Sequence, residues 1–129
     1  MHEQPLSGGN ASGAVVRVGE TVRKPWTTST PSVVAFVDHL RSAGVDAPAP
    51  LGRDDAGRQV QEFVAGTPAI DLLPLSESDL RRVGAMVRAI HDASATYRAP
   101  DDAVWETAIP APGDEILCHT DLAPRNLLV

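Results

Sequence analysis

One segment, from about residue 77 to residue 97, constrains the fold of this 129-residue chain more than any other. Ser76 and Asp79 form a capping pattern at its start, in which the serine accepts a backbone hydrogen bond from the first helical turn. Apolar residues then recur at helical spacing and form one stripe: Leu80, Val83, Val87, Ile90 and Tyr97. The segment therefore predicts a long amphipathic helix with one side packed against other structure.

Two β-hairpins are predicted before this helix. Residues 14–18 and 21–24 are rich in β-branched side chains and are joined by a two-residue link that contains a glycine. Residues 51–53 and 58–64 flank four residues that favour a turn. Each pair therefore indicates two antiparallel strands joined by a short connection.

A shorter helix is predicted between the two hairpins. Thr30 is the expected N-cap, Pro31 suits the first helical position and Gly44 supplies a stop. The end of the chain predicts a short strand at 115–118, a polar loop, and another strand at 127–129. Together these elements indicate the α+β class.

Composition and charge exclude several classes of partner. The chain has 11 basic and 17 acidic residues and a formal net charge of −6, which argues against general binding to nucleic acids or anionic membranes. Its single cysteine, Cys118, excludes an intramolecular disulfide. The N-terminus lacks the features of a signal peptide, and no apolar run is long enough to span a bilayer. We therefore expect a cytoplasmic protein without nucleic-acid or membrane partners.

The polar loop near the end of the chain contains the pattern H-x-D-x-x-x-x-N, formed by His119, Asp121 and Asn126. This is the core of a kinase catalytic loop. In such a loop the aspartate orients and deprotonates an attacking hydroxyl, and the asparagine helps to hold Mg²⁺ against a triphosphate. The alternative is a polar turn of an ordinary hairpin.

Residues 116–129 resemble the catalytic-loop signature of the aminoglycoside phosphotransferase family. Residues 6–10 are similar to the family's nucleotide-covering loop, and 61–66 to its interlobe hinge. The resemblance implies a protein-kinase-like two-lobed fold, with an N-terminal antiparallel sheet lobe and an incomplete helical C-terminal lobe. Residues 1–66 would form the nucleotide-binding lobe and hinge, and 67–129 a partial C-terminal lobe.

The same resemblance implies transfer of the γ-phosphate of ATP or GTP to a hydroxyl of a small molecule, with Mg²⁺ as cofactor. Asp121 would be the catalytic residue and Asn126 the metal ligand. Lys24 or Arg23 would contact phosphate, and strand alternation allows only one of the two to face the cleft. The remaining nucleotide contacts would come from Ser7, Gly8, Gly9, Asn10, Glu62 and Val64.

Two departures from the family pattern matter. Residues 31–37 contain no acid that could pair with the phosphate-binding lysine, and no second Mg²⁺-binding aspartate follows Asn126. We therefore expect this chain alone to be inactive, as a fragment or a remnant. We also expect residues 127–129 to be one arm of a buried hairpin whose partner is missing, which would leave the chain marginally stable.

Two other interpretations stay open on the sequence. One is a catalytically dead module, derived from a kinase, that binds nucleotide without transferring phosphate. The other is a small α+β domain whose loop resembles a kinase loop by accident.

Overall fold

The computed structural model describes residues 2–6, 14–106, 117–118 and 127–129. Within them the chain is α+β, as predicted, with one five-stranded antiparallel sheet and two α-helices. The sheet order is β1-β2-β3-β5-β4, with strands β1 Gln4–Pro5, β2 Val16–Val18, β3 Thr21–Lys24, β4 Pro50–Arg53 and β5 Gln59–Glu62. The helices are α1 Thr30–Ser42 and α2 Glu77–Ser94, and a 3₁₀ helix covers Ala69–Leu72.

Both predicted hairpins are confirmed. Strands β2 and β3 pair with Val18 opposite Thr21, and Gly19 in the turn has a φ of 60°, a left-handed conformation that favours glycine. Strands β4 and β5 pair across the predicted turn. The sequence did not predict β1, because a two-residue strand that contains a proline has no periodicity of its own and exists only through its pairing with β2.

Helix α1 ends in a Schellman motif, which confirms the predicted stop at Gly44. The Val45 N–H donates to the Leu40 carbonyl (3.0 Å), the Gly44 N–H donates to the Arg41 carbonyl (3.0 Å), and Gly44 has a φ of 89°. The predicted cap is displaced by one residue. Thr30 is already helical, and its Oγ1 accepts from the Thr27 N–H at 2.9 Å.

Helix α2 confirms the predicted cap, since Ser76 Oγ accepts from the Asp79 N–H at 3.0 Å. It ends at Ser94, three residues before the predicted Tyr97. The Tyr97 ring instead packs 5.2 Å from the Phe36 ring. The C-terminal end of α2 meets α1 in a small core of Leu40, Val45 and Ala93, with Phe36 and Ile90 against it.

The segment 127–129 has a partner within the chain, contrary to our expectation. The Val129 N–H donates to the Thr67 carbonyl (2.9 Å), the Thr67 N–H donates to the Val129 carbonyl (3.1 Å), and the Ala69 N–H donates to the Leu127 carbonyl (2.9 Å). Residues 65–68 carry no alternating pattern that would predict a strand. The sequence therefore does not predict this long-range antiparallel bridge.

No helix in the described ranges is long and apolar enough to cross a bilayer.

Candidate functional site

The structure describes four of the ten predicted site residues, all on β3, β5 or the segment that follows β5. Lys24 and Arg23 end β3, Glu62 ends β5, and Val64 follows it. Strand β3 pairs with β5, with Lys24 opposite Gln59. The other six residues lie outside the described ranges: Ser7, Gly8, Gly9, Asn10, Asp121 and Asn126.

Lys24 lies on the same face of the sheet as the buried Val22, because alternate residues of a strand share a face. Its side chain is half-buried, and this burial lowers the pKa of Lys24 because the charged ammonium loses hydration. Among the described residues no carboxylate lies within salt-bridge distance of its Nζ. The site therefore offers a partly desolvated cation to an anionic group.

Arg23 lies on the opposite face and is bound to an acidic partner. Its Nη1 donates to Asp54 Oδ2 at 3.1 Å, and its Nε donates to Thr21 Oγ1 at 3.2 Å. The side chains of Arg23 and Asp54 are only 15% and 9% exposed. Arg23 therefore holds the β4–β5 turn against β3, whereas Lys24 has no such role in the described structure.

Asp54 is the centre of an ion-pair network that the sequence does not predict. Burial of its carboxyl acts to raise the pKa of Asp54, but hydrogen bonds from the Arg58 backbone and from the Arg23 and Arg58 side chains lower it to about 2. Arg58 Nη2 also donates to Glu3 Oε1 at 2.8 Å, so the network reaches the strand β1 region. The sequence predicts a turn at 54–57 but not the network, because Arg23 is 31 residues from Asp54 and Glu3 is 55 from Arg58.

The predicted hinge has few free backbone donors. The Glu62 N–H donates to the Ala49 carbonyl at 2.9 Å, and the Phe63 N–H donates to the Glu20 carbonyl at 3.0 Å. Glu62 Oε2 also accepts from the Ala49 N–H at 3.0 Å. Of residues 62–64, only Val64 has a backbone N–H without an acceptor in the part of the chain that the structure describes.

Metal binding finds no further support in this region. Within the described residues no group of three His, Cys, Asp or Glu side chains is arranged to hold a metal ion. The predicted ligand Asn126 lies outside those residues. Mg²⁺ therefore remains a prediction from the sequence.

Comparison with known proteins identifies a similarity of a different kind. The chain is 28% identical to the trifolitoxin immunity protein of Rhizobium leguminosarum bv. trifolii over an alignment of 131 residues. The alignment covers 95% of this chain and 49% of that protein, so the chain spans about half the length of the relative it matches. No family model matches the chain, and no solved structure matches it.

These findings contradict the predicted membership of the aminoglycoside phosphotransferase family. They also contradict the predicted kinase function, its alternative as a dead nucleotide-binding module, and the associated ATP-binding assignment, because the similarity found is to an immunity protein. The physical reason lies in the sequence pattern: the motif fixes only three positions of eight, and the other similar segments, 6–10 and 61–66, are five and six residues long. Such a pattern does not specify an activity.

Proposed function

We propose that this chain is part of an immunity protein that protects a cell against a toxin. The similarity to the trifolitoxin immunity protein carries the proposal, because it extends over 95% of the chain at 28% identity. A similarity that extends over almost the whole chain does not depend on a single short motif. A cytoplasmic location belongs to the same proposal.

We also propose a division of the chain into two lobes, based on the order of the helices and strands along the sequence. The sheet with α1 would form one lobe within residues 1–66, and α2 would begin a second lobe within 67–129, in a protein-kinase-like two-lobed arrangement. The segment between β5 and α2 supports this division, because it contains only one turn of 3₁₀ helix, Ala69–Leu72. The α1–α2 contact through Leu40 and Ala93 would join the two lobes.

The sheet face that carries Lys24 is the ligand surface that we propose. A half-buried ammonium group without a carboxylate partner in the described structure favours an anionic ligand or an anionic group of the toxin. Mg²⁺, a nucleoside triphosphate and a small hydroxylated partner stay predictions from the sequence, as does catalysis, and none of them is assigned to this face.

A growth assay tests the proposal. Cells that trifolitoxin inhibits would express the 129-residue chain or an empty vector, and the inhibitory toxin concentration would be measured for each. We expect the chain to raise that concentration. Lys24→Met should remove the protection, whereas Arg53→Met, at an exposed cation that packs 4.4 Å from the Trp26 ring, should retain it. A soluble, well-expressed chain that gives no protection would contradict the proposal.

The mass of the toxin then separates binding from catalysis. Purified chain and toxin would be incubated with and without Mg²⁺ and ATP, and the intact mass of the toxin would be measured. If the mass of the toxin is unchanged and protection requires one chain per toxin molecule, the chain acts by binding. If the mass of the toxin changes when the toxin is in excess over the chain, the chain acts as an enzyme.

A further inference from the structure

Lys24 is the only lysine of the chain. The other residues among its 11 basic ones are all arginines. Arginine also supplies the cation of every ion pair that the described residues form. Arginine stays protonated in proteins, whereas a lysine that loses hydration releases its proton more readily and becomes a nucleophilic amine. The position of the single lysine therefore decides where a side chain of this sequence can undergo amine chemistry.

The ε-amine of Lys24 lies where such chemistry is favoured. The side chain is half-buried at the end of β3, and this burial lowers the pKa of Lys24. Within the described ranges no carboxylate or other hydrogen-bond acceptor holds the ammonium. Gln59, directly opposite on β5, donates from its side-chain amide to the Pro25 carbonyl at 2.9 Å. No contact of the described structure therefore holds the proton on the nitrogen.

A second cation lies on the same face of the sheet. Arg53 on β4 is opposite Gln59, and Gln59 is opposite Lys24, so the three side chains form one row across the sheet. Neighbouring strands are about 4.8 Å apart, which sets the two cations roughly 10 Å apart at the backbone. The Arg53 guanidinium packs 4.4 Å from the Trp26 ring and pairs with no carboxylate of the described residues. The row is therefore cationic at both ends and contains no acid.

A row of this kind attracts small anions. Cations on a surface raise the local concentration of an anionic reactant and so the rate at which it reacts there. Arg53 is exposed and screened by solvent, so it increases the rate of encounter more than the affinity of a bound ligand. An acyl donor that carries phosphate therefore meets the amine of Lys24 more often than an uncharged donor does.

We propose that Lys24 is an acylation site, at which a small acyl phosphate transfers its acyl group to the ε-amine. The ammonium first releases one proton to water. The neutral nitrogen then attacks the acyl carbon, so that a C–N bond forms and the C–O bond to phosphate breaks. A proton of the amine passes to the phosphate, which leaves.

The product of this reaction is an uncharged amide. Acylation therefore removes the charge of the ligand surface, much as Lys24→Met does, and turns off the binding of an anionic group. This consequence rests on the proposed function, whereas the acylation itself does not.

The rate of acetylation tests the site. Arg98→Lys adds an exposed lysine beyond α2, at an arginine that forms no ion pair within the described residues, and so provides a reference in the same molecule. The variant would be incubated with acetyl phosphate at about pH 7.5, and peptide mass spectrometry would follow both lysines. Lys24 should be acetylated at least ~3-fold faster than the introduced lysine, because more of its amine is neutral and its face attracts the donor. Equal rates, or a slower reaction at Lys24, would overturn the proposal.

A variant that keeps the charge tests the effect on the ligand surface. Lys24→Arg retains a cation but has no amine to acetylate, and circular dichroism would verify that it folds. Binding of trifolitoxin to the wild-type chain and to this variant would be measured by calorimetry, before and after treatment with acetyl phosphate. Treatment should weaken binding to the wild-type chain at least ~10-fold and leave binding to Lys24→Arg unchanged.

Two results would count against different parts of this account. Acetylated wild-type chain that binds trifolitoxin as tightly as untreated chain would show that acylation does not turn the surface off. Untreated wild-type chain that does not bind trifolitoxin would contradict the proposed function and the consequence drawn from it. The comparison of acetylation rates would then decide the acylation site alone.

Discussion

At the residue scale, Asp54 contributes a pH-dependent part of the stability of the sheet. Its pKa falls from 3.8 to about 2 on folding, because the hydrogen bonds from Arg58 and Arg23 outweigh the effect of burial. A depressed carboxyl pKa contributes stability that is present above the unfolded value and is lost as the pH falls through the folded value. The contribution of Asp54 is therefore lost between about pH 4 and about pH 2.

Urea unfolding over this pH range tests that contribution, with Asp54→Asn as the comparison. We expect the asparagine variant to be less stable than wild type at pH 7, since it leaves two arginines without their carboxylate. The difference between the two proteins should shrink as the pH falls below 4, because the wild-type carboxyl becomes protonated. A difference that is constant from pH 7 to pH 2 would contradict the role assigned to the carboxylate.

Gly66 is a position at which an added side chain would disturb local packing. A Cβ at Gly66 would lie 3.1 Å from the Cβ of Leu128, and the backbone pairing of 127–129 with 67–69 holds Leu128 in place. We expect Gly66→Ala to lower the free energy of unfolding by about 1 kcal/mol, as overpacking does. Gly84→Ala, where no atom lies within 4 Å, should be neutral or stabilising when measured at low micromolar concentration. Equal effects of the two substitutions would argue against the close approach at Leu128.

At the element scale, the caps show what a sequence can specify. The Ser76 cap of α2 and the Gly44 stop of α1 were predicted correctly, because each depends on residues within one turn of the helix end. The two hairpins were predicted for the same reason. Strand β1, the 67–69 bridge and the Glu3–Arg58–Asp54–Arg23 network were not, because each joins residues far apart in the chain and leaves no periodic signal. For the phosphate contact the sequence left Lys24 and Arg23 as alternatives, and only the pairing of Arg23 with Asp54 in the structure distinguishes the two side chains.

The Ser76 cap gives a direct measure of how far α2 depends on local interactions. Ser76→Ala removes the acceptor for the Asp79 N–H and should lower the free energy of unfolding by about 1 kcal/mol. Ser78→Ala, in the first turn of the same helix, is the control and should change stability by less than about 0.5 kcal/mol. Chemical denaturation followed by circular dichroism measures both. Similar losses for the two variants would show that the cap is not a main source of helix stability.

At the scale of the whole molecule, the core is thin. The buried apolar side chains of the described residues are valines, alanines and one leucine, and no large side chain among them is completely buried. We therefore expect a marginally stable chain that melts over a broad temperature range when measured at low concentration. Differential scanning calorimetry would measure this transition. A sharp, cooperative melt of the monomer would contradict the expectation.

The central claim, a role in toxin immunity, is tested most directly by a chimera. The half of the Rhizobium protein that aligns with this chain would be replaced by the chain, and the chimera would be expressed in cells that trifolitoxin inhibits. The account predicts that the chimera raises the inhibitory trifolitoxin concentration above that of the empty vector, and that Lys24→Met within it lowers the concentration again. A soluble chimera that leaves cells as sensitive as the vector, while the intact Rhizobium protein protects them, would contradict the account.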